Sequence, residues 1–401
     1  MTTAPTPVHL AVALDGAGWH PAAWREPDAR PADLLSPGYW VDLVQEAERG
    51  LLDLVTFEDA LSLQSSDRGA PDQRTDQVRG RLDAVQVAAR VAPLTRSIGL
   101  VPTAVVTHTE PFHLSKAIAT LDFVSSGRAG VRVKVGSSRA EAAHFGRRDL
   151  PDVRGLAVGD PAAQAALREL FDEAAEWVEV LRQLWDSWED DAEIRDVATG
   201  RFVDRDKLHY IDFAGRFFSV KGPSITPRPP QGQPIVAALA HQQIPFELVG
   251  RSADLGFVTP RDTADAARIV GEIRSAQAAA GRAEETVHVF GDLLVVLDDD
   301  ATTATARLRR LDDAAGSELS SDARVFAGTP VQLADLLTDW AQAGLAGFRL
   351  RPAALPHDLR QVTAGLVSEL QRRSLFRSAY EATTLRRLLG LPRPANRYAT
   401  V

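Results

Sequence analysis

Cysteine is absent from this chain of 401 residues, and methionine occurs once. Without cysteine there is no disulfide, no thiol nucleophile, and no zinc or iron–sulfur site built on thiolate ligands. The net charge of −9 and the pI of about 5.6 argue against nucleic acid as the main partner. No stretch approaches the ~20 apolar residues of a membrane span, and the N-terminus lacks the basic segment of a signal peptide. We therefore expect a cytoplasmic protein with no nucleic-acid or membrane partner.

Two phosphate-binding signatures are also missing. No GxGxxG follows the first predicted strand, and no GxxxxGK[ST] occurs anywhere in the chain. These absences exclude the simple dinucleotide-binding and Walker-type sites. No two histidines stand with a carboxylate at the spacing of metal ligands, so no metal site is predicted either.

Short apolar runs alternate along the chain with longer helical patterns, in which apolar residues such as Leu114, Ile118 and Leu121 recur on one face. Repeated strand–helix units indicate right-handed crossovers and a parallel sheet. About eight units are present, which predicts an α/β fold, a (β/α)8 TIM barrel. The predicted strands cover residues 8–14, 51–57, 98–106, 131–135, 234–240, 255–258, 286–297 and 347–350.

We predict a single barrel domain over residues 1–401. Residues 190–230 are rich in aspartate, arginine and aromatic side chains and are predicted to form an insertion, a loop with a hairpin over one barrel mouth. Residues from about 375 to 401 are predicted to form a C-terminal tail. The chemistry of a TIM barrel takes place at the carboxyl ends of its strands, so the side chains there are the candidates for a site.

The fourth predicted strand alternates valine with charge. Period-two alternation places Arg132 and Lys134 on one face, and in a barrel that face is the lumen. Two inward cations need anionic partners. Glu58 or Asp59, at the end of the second strand, could supply an internal ion pair; the alternative is an anionic ligand. Because Glu58 and Asp59 are adjacent on one strand, they point to opposite faces and cannot form the facing acid pair of a glycoside hydrolase.

Several long segments resemble one family, the luciferase-like flavin-dependent monooxygenases, in the branch of nitrilotriacetate, dibenzothiophene-sulfone and long-chain-alkane monooxygenases. The segments, in chain order, are HPAAWREPDARPADLLSPGYW, AERGLLDLVTFEDAL, LWDSWEDDA, GRFVDRDKLHYIDFAGRFFSVKGPSITPRPPQGQPIV and GLAGFRLRPAALPHDLRQVTAGLVSELQRRSLFRSAYEATTLRRLLGL. They cover most of the chain.

The resemblance implies an enzyme that binds FMN at the carboxyl mouth of the barrel. Reduced FMN would come from a separate flavin reductase, and the flavin would activate oxygen against a small-molecule substrate. It also implies a homo-oligomer, a dimer or tetramer. The positions that match the family's cofactor site are Asp59, Thr103, Arg132, Gly136, Ser137, Phe171 and Gln242.

Four of these positions depart from the family pattern. Gly136 stands where a serine is usual, although Ser137 and Ser138 follow it at once. Arg132 stands where an asparagine usually faces the flavin, Phe171 replaces a tyrosine of the phosphate site, and Gln242 lies near the position of a phosphate-binding serine. Each lost hydrogen bond to a phosphate is worth ~1.5–3 kcal/mol. The departures leave a second reading open: a barrel that has lost the usual flavin site and serves as a binding or partner subunit. The region from Asp298 to Thr329 is also shorter than is usual for this branch.

The histidines are the candidate proton donors of the site. His20 is the candidate catalytic residue because it closely follows the first strand, beside the AWR segment. Trp24, in that segment, is predicted to be part of the site wall. The other histidines considered, each of which could equally be a loop or capping residue, are His108, His113, His144 and His241.

Overall fold

The computed structural model describes residues 7–66, 72–150 and 160–399. The strands are β1 (His9–Leu14), β2 (Leu54–Phe57), β3 (Gly99–Val105), β4 (Gly130–Lys134), β5 (Glu193–Asp196), β6 (Arg201–Val203), β7 (Phe213–Ala214), β8 (Ser219–Val220), β9 (Ile235–Ala240), β10 (Leu255–Val258), β11 (His288–Leu297), β12 (Arg324–Gly328) and β13 (Gly347–Pro352).

The α-helices are α1 (Pro37–Arg49), α2 (Ala84–Val91), α3 (Pro111–Val124), α4 (Arg139–Phe145), α5 (Pro161–Asp186), α6 (Gln243–Ser252), α7 (Thr263–Ala279), α8 (Ala301–Ala315), α9 (Pro330–Gln342), α10 (His357–Arg360), α11 (Val367–Arg372) and α12 (Leu385–Leu388). A π-helical segment, Gln361–Leu366, joins α10 to α11. Short 3-10 turns occur at Ala23–Arg25, Pro31–Asp33, Ala92–Leu94, Val106–His108 and Arg205–Lys207. In the described part of the chain, no helix is long and apolar enough to cross a membrane.

Eight parallel strands close into a barrel in the order β1, β2, β3, β4, β9, β10, β11 and β13, and β13 pairs back onto β1. This confirms the predicted (β/α)8 fold, and each predicted strand overlaps one of the eight. The sequence did not predict β12. This ninth parallel strand pairs with residues 293–297 of β11, beyond the short β10, which pairs only with residues 288–291. It covers an edge of β11 that would otherwise be unpaired.

The alternation of β4 works as predicted. Val131 and Val133 point outward and are buried in the main core against the helices. Arg132 and Lys134 point inward, where Arg132 contacts Thr103 and Lys134 donates to the backbone oxygen of Asp59 at 2.8 Å.

The lumen has an apolar layer at the N-terminal end of the strands and a charged layer at their carboxyl end. Its N-terminal part is apolar, and three leucines of the C-terminal tail join this cluster and close that end of the barrel. The apolar cluster comprises Ala11, Leu54, Val101, Ile235, Ala237, Leu255, Phe257, Phe290, Leu385, Leu389 and Leu391.

The insertion joins α5 to β9 and therefore lies at the N-terminal end of the strands, opposite the expected site. It contains two hairpins, β5–β6 and β7–β8. The tail clasps it: Arg393 pairs with the Asp190 carboxylate at 2.5 and 2.9 Å, and the rings of Tyr398 and His209 stack at 4.1 Å. The insertion thus braces the closed end of the barrel.

Candidate active site

Charged side chains fill the carboxyl end of the lumen. Arg132 on β4 donates from Nε to the hydroxyl of Thr103 on β3 at 2.9 Å, and its guanidinium forms an ion pair with Glu58, which follows β2. The side chains of Arg132 and Glu58 are 3% and 9% exposed. Of the two alternatives drawn from the sequence, the structure thus shows the internal ion pair.

The Arg132–Glu58 pair belongs to a larger network of charged side chains that crosses the lumen. Arg349 on β13 lies 3.6 Å from Glu58 and pairs through two nitrogens with Asp292 on β11. Asp292 also accepts from Nε of Arg351 at 3.0 Å, and Arg351 donates to Asp322 at 2.6 Å. We call these six residues the lumen network: Glu58, Arg132, Asp292, Asp322, Arg349 and Arg351. Three carboxylates face three guanidinium groups, so the formal charges cancel, as burial requires.

Glu58 is held ionised by this arrangement. Burial alone would raise the pKa of Glu58, but the charges of Arg132 and Arg349 outweigh burial and hold that pKa at about 2. Its Oε1 atom is buried, and no donor in the described part of the chain is hydrogen-bonded to it. Glu58 is therefore a carboxylate at neutral pH, and one of its oxygens is stabilised by charge alone.

Asp59 points away from the lumen, as expected for the neighbour of Glu58 on an extended chain. Its carboxylate accepts from the backbone N–H groups of Ala60 at 2.7 Å and Ala84 at 3.1 Å. Ala84 is the first residue of α2, so Asp59 ties the end of β2 to the start of that helix. Asp59, Thr103 and Arg132, three of the positions that match the family's cofactor site, thus all have partners within the chain.

The rim beyond β4 and β9 is more open. Ser137 is exposed, while the N–H of Gly136 donates to the Thr107 hydroxyl at 2.9 Å. Gln242 is the N-cap residue of α6, is exposed, and makes no capping hydrogen bond with its side chain. Because β4 and β9 are paired, Ser137 and Gln242 follow neighbouring strands. This is the region in which a phosphate site was predicted.

Phe171 lies on α5, half-buried, and packs against the main core. Its ring offers no hydrogen-bond donor. Phe171 therefore cannot make the phosphate contact that the family pattern assigns to a tyrosine at this position, and its ring packs against the core instead.

His20 is buried and uses both ring nitrogens. Nδ1 accepts from the N–H of Ala22 at 3.1 Å, so Nε2 carries the proton and donates to Asp312 at 3.1 Å. Burial lowers the pKa of His20, and Asp312 opposes that shift. These contacts join the loop after β1 to α8, which is a structural arrangement; a catalytic role for His20 stays a prediction.

The other candidate histidines differ in placement. His241 contacts the lumen network: its Nε2 lies 3.4 Å from Asp322, and its Nδ1 is hydrogen-bonded to Thr259 at 2.9 Å. His108 is buried and stacks on Phe145, and its Nε2 has no hydrogen-bond partner. The remaining two, His113 and His144, are exposed.

Two cavities lie beside the carboxyl ends of β1 and β2. The first, about 310 Å³, has mainly apolar walls and includes Trp24, which the sequence placed in the site wall. The second, about 360 Å³, is lined largely by serine, glutamine and backbone groups. Asp15, Gly16, Gln77 and Val78 line both. The two cavities therefore form one mouth with an apolar and a polar side.

Sequence reasoning missed Asp292, the carboxylate at the centre of the lumen network. The signal was present: it is the only charged residue within the buried part of the strand HVFGDLLVVL, and it alternates in phase with the inward Phe290. An isolated charge on the inward face of a barrel strand indicates a partner across the lumen.

The comparisons with known proteins agree with this geometry. The family model described as luciferase-like monooxygenase matches residues 18–324. The chain belongs to this family. It is 30% identical to the N-acetyl-S-(2-succino)cysteine monooxygenase of Bacillus subtilis over 100% of both chains. It is 29% identical to nitrilotriacetate monooxygenase component A of Aminobacter aminovorans over 98% of both. The predicted family and branch are confirmed, and so is the expectation of a monooxygenase-type enzyme.

Solved structures show the same fold. A long-chain alkane monooxygenase superposes with a TM-score of 0.84 at 22% identity, covering 97% of this chain and 96% of the other. A riboflavin lyase, solved with modified FMN and riboflavin, has the same TM-score at 24% identity and 98% coverage of both. The alignment with the Bacillus relative runs over 461 positions against 401 residues here, so that relative has residues with no counterpart in this luciferase-like chain.

The lumen of this family member does not fit a flavin ring held by the predicted contacts. Thr103 and Arg132 are bonded to each other and are 1% and 3% exposed. Asp59 is engaged by two backbone N–H groups. The rim does suit an anion, because the first N–H groups of α6 have no side-chain cap and a helix N-terminus favours negative charge.

Proposed function

We propose that the protein is a monooxygenase-type oxidoreductase that uses reduced FMN, supplied by a separate flavin reductase, to oxidise a small organic molecule. Similarity over nearly its whole length to a protein named as a monooxygenase component supports this. The structural observation that carries the proposal is the mouth beside β1 and β2, where an apolar and a polar cavity meet and where Glu58 of the buried lumen network lines the apolar cavity.

In this proposal the lumen network is the floor of the site rather than a set of ligands. Its paired charges keep water out of the barrel and fix the ends of β2, β4, β11 and β13 relative to one another. Bound flavin would supply the oxygen-activating chemistry. The chain contributes the rim: Ser137, Gln242 and the N-terminal amides of α6 for an anionic group.

The test is a titration of the purified chain with oxidised FMN and, without oxygen, with reduced FMN, followed by turnover assays with a flavin reductase. We expect reduced FMN to bind, and we expect Gln242→Glu at the rim to weaken binding about tenfold by placing a like charge beside the phosphate. Gln243→Glu places the same charge on the next residue, which is also exposed. Comparing the two variants shows whether the loss of FMN affinity is specific to position 242. Absence of binding by either flavin at millimolar concentration would contradict the proposal.

A second candidate is a partner subunit that has lost the flavin site. The buried Arg132–Glu58 pair favours it, because Arg132 stands where the family pattern has an asparagine that faces the flavin. Two relatives are named as subunits A and B of pristinamycin IIA synthase in Streptomyces pristinaespiralis. Co-purification with a second barrel subunit, together with an isolated chain that fails to turn over, would support this candidate. Flavin-dependent turnover by the isolated chain eliminates it.

We also propose that the chain works as a single domain, since leucines of its tail complete the barrel's own core. Assembly into a homodimer or homotetramer stays a prediction.

A further inference from the structure

The apolar cavity at the mouth has walls fixed in place. The indole N–H of Trp24 donates to the backbone oxygen of Asp76, and that of Trp40 to the backbone oxygen of Leu34, both at 3.0 Å. With their polar atoms satisfied, both rings hold set orientations and offer apolar surface to a ligand. The main apolar lining residues are Trp24, Leu34, Trp40, Phe57, Leu82 and Val87.

Every charged side chain that lines this cavity is already paired. Asp15 accepts from Arg81 at 2.5 and 2.9 Å, and Glu58 belongs to the lumen network. Arg79 is paired with Asp72. Among the residues that the structure describes, no cation lining this cavity is therefore left to receive a carboxylate, and an unpaired carboxylate placed here would lose its water without compensation.

The apolar wall continues to the protein surface. A neighbouring cavity of about 340 Å³ lies between α1 and α2, and its lining shares Leu35, Trp40, Leu82 and Val87 with the first cavity. The two form a mainly apolar path from the outside, past Trp40, to the end of β2. The charged residues that line the outer cavity, Asp83 and Arg90, are exposed to water at its open end. Leu35 stands at the junction and is 69% exposed.

We infer that this apolar path binds the substrate, and that the body of the substrate is neutral and apolar, aromatic or alkyl, rather than a polycarboxylate. That the bound molecule is a substrate depends on the proposed function. Its chemical class follows from the residues that line the path. The polar cavity that shares Asp15 and Gln77 with the first has room for an uncharged polar group attached to such a body.

The test uses flavin-free protein and two probes: dibenzothiophene sulfone, which is neutral and tricyclic, and nitrilotriacetate, a tricarboxylate. Binding is followed by quenching of tryptophan fluorescence and by calorimetry. We expect the sulfone to bind and to quench, and the tricarboxylate to do neither. Leu35→Asp should weaken sulfone binding at least fivefold. Leu63→Asp, at a leucine that is 70% exposed and does not line the cavity, should leave it unchanged.

Three results would overturn the inference: tricarboxylate binding as tight as that of the sulfone, equal effects of the two leucine variants, or no binding of the sulfone up to its solubility limit. Because flavin is absent from the assay, a failure of flavin binding or turnover would count against the proposed function and leave this result standing.

Discussion

Replacing Arg132 by methionine should destabilise the protein severely. The substitution keeps an unbranched apolar side chain but removes the main counter-charge of Glu58. Glu58 then stays buried, with Arg349 at 3.6 Å as its nearest remaining cation. Removing one partner of a buried ion pair costs about 3–5 kcal/mol, because the other charge loses both its water and its partner.

The pKa of Glu58 gives a similar free-energy cost. The pKa of Glu58 is about 2 in the folded protein, against an ordinary value of 4.5. A depression of this size is worth about 3 kcal/mol, at 1.36 kcal/mol per pH unit. Because the folded pKa is the lower one, this stability is present above about pH 4.5 and is lost as the pH falls towards 2. Arg132→Met should remove most of that acid dependence.

The measurement is the free energy of unfolding in urea at pH 7 and at pH 3, for the parent and the variant. Arg147→Met is the matched control, since Arg147 pairs with Glu110 where both side chains are more than half exposed. That change should cost less than about 1 kcal/mol. The double variant Glu58→Leu with Arg132→Met should recover most of the loss, because apolar side chains of similar volume replace both charges.

Two outcomes would refute the reasoning. If Arg132→Met costs no more than the exposed control, the pair contributes little. Glu58→Leu alone completes the comparison. If the double variant loses the sum of the losses of Arg132→Met and Glu58→Leu, the two side chains are not energetically coupled.

Three further predictions concern structural contacts. His20→Ala should lower the free energy of unfolding by about 1–3 kcal/mol, since one buried and one partly buried hydrogen bond are lost, and turnover per folded molecule should persist if the role is structural. Gly18→Ala should cost more than about 2 kcal/mol, because its φ is +129° and a Cβ would lie 2.3 Å from a backbone oxygen; Gly38→Ala, with nothing within 4 Å, should stay within about 1 kcal/mol. Ending the chain after Leu391 should speed tryptic cleavage within residues 190–230, because the tail clasp is removed; an unchanged cleavage rate would contradict that role.

The barrel could be predicted because its strands have a local signal. The runs at β1, β9 and β10 are buried on both faces and read as continuous apolar segments, and the helices between them show one apolar face. β12 could not be predicted in this way. Its five residues are mostly half-exposed, and its pairing depends on the edge that the short β10 leaves open on β11.

The candidate site could also be predicted only in part. Alternation placed Arg132 and Lys134 in the lumen, and adjacency placed Glu58 and Asp59 on opposite faces; both expectations rest on the period of two in an extended strand. The choice between an ion pair and an anionic ligand was left open, since the partner of Arg132 lies 74 residues away, just after another strand.

The sequence by itself determined the family, the strand–helix order and the inward direction of the charges, because each depends on residues close together in the chain. Only the tertiary structure decided that those charges neutralise one another. The pairing of Glu58, Arg132, Asp292 and Arg349 requires four strands brought to one level by the closure of the barrel, and no local pattern records that register.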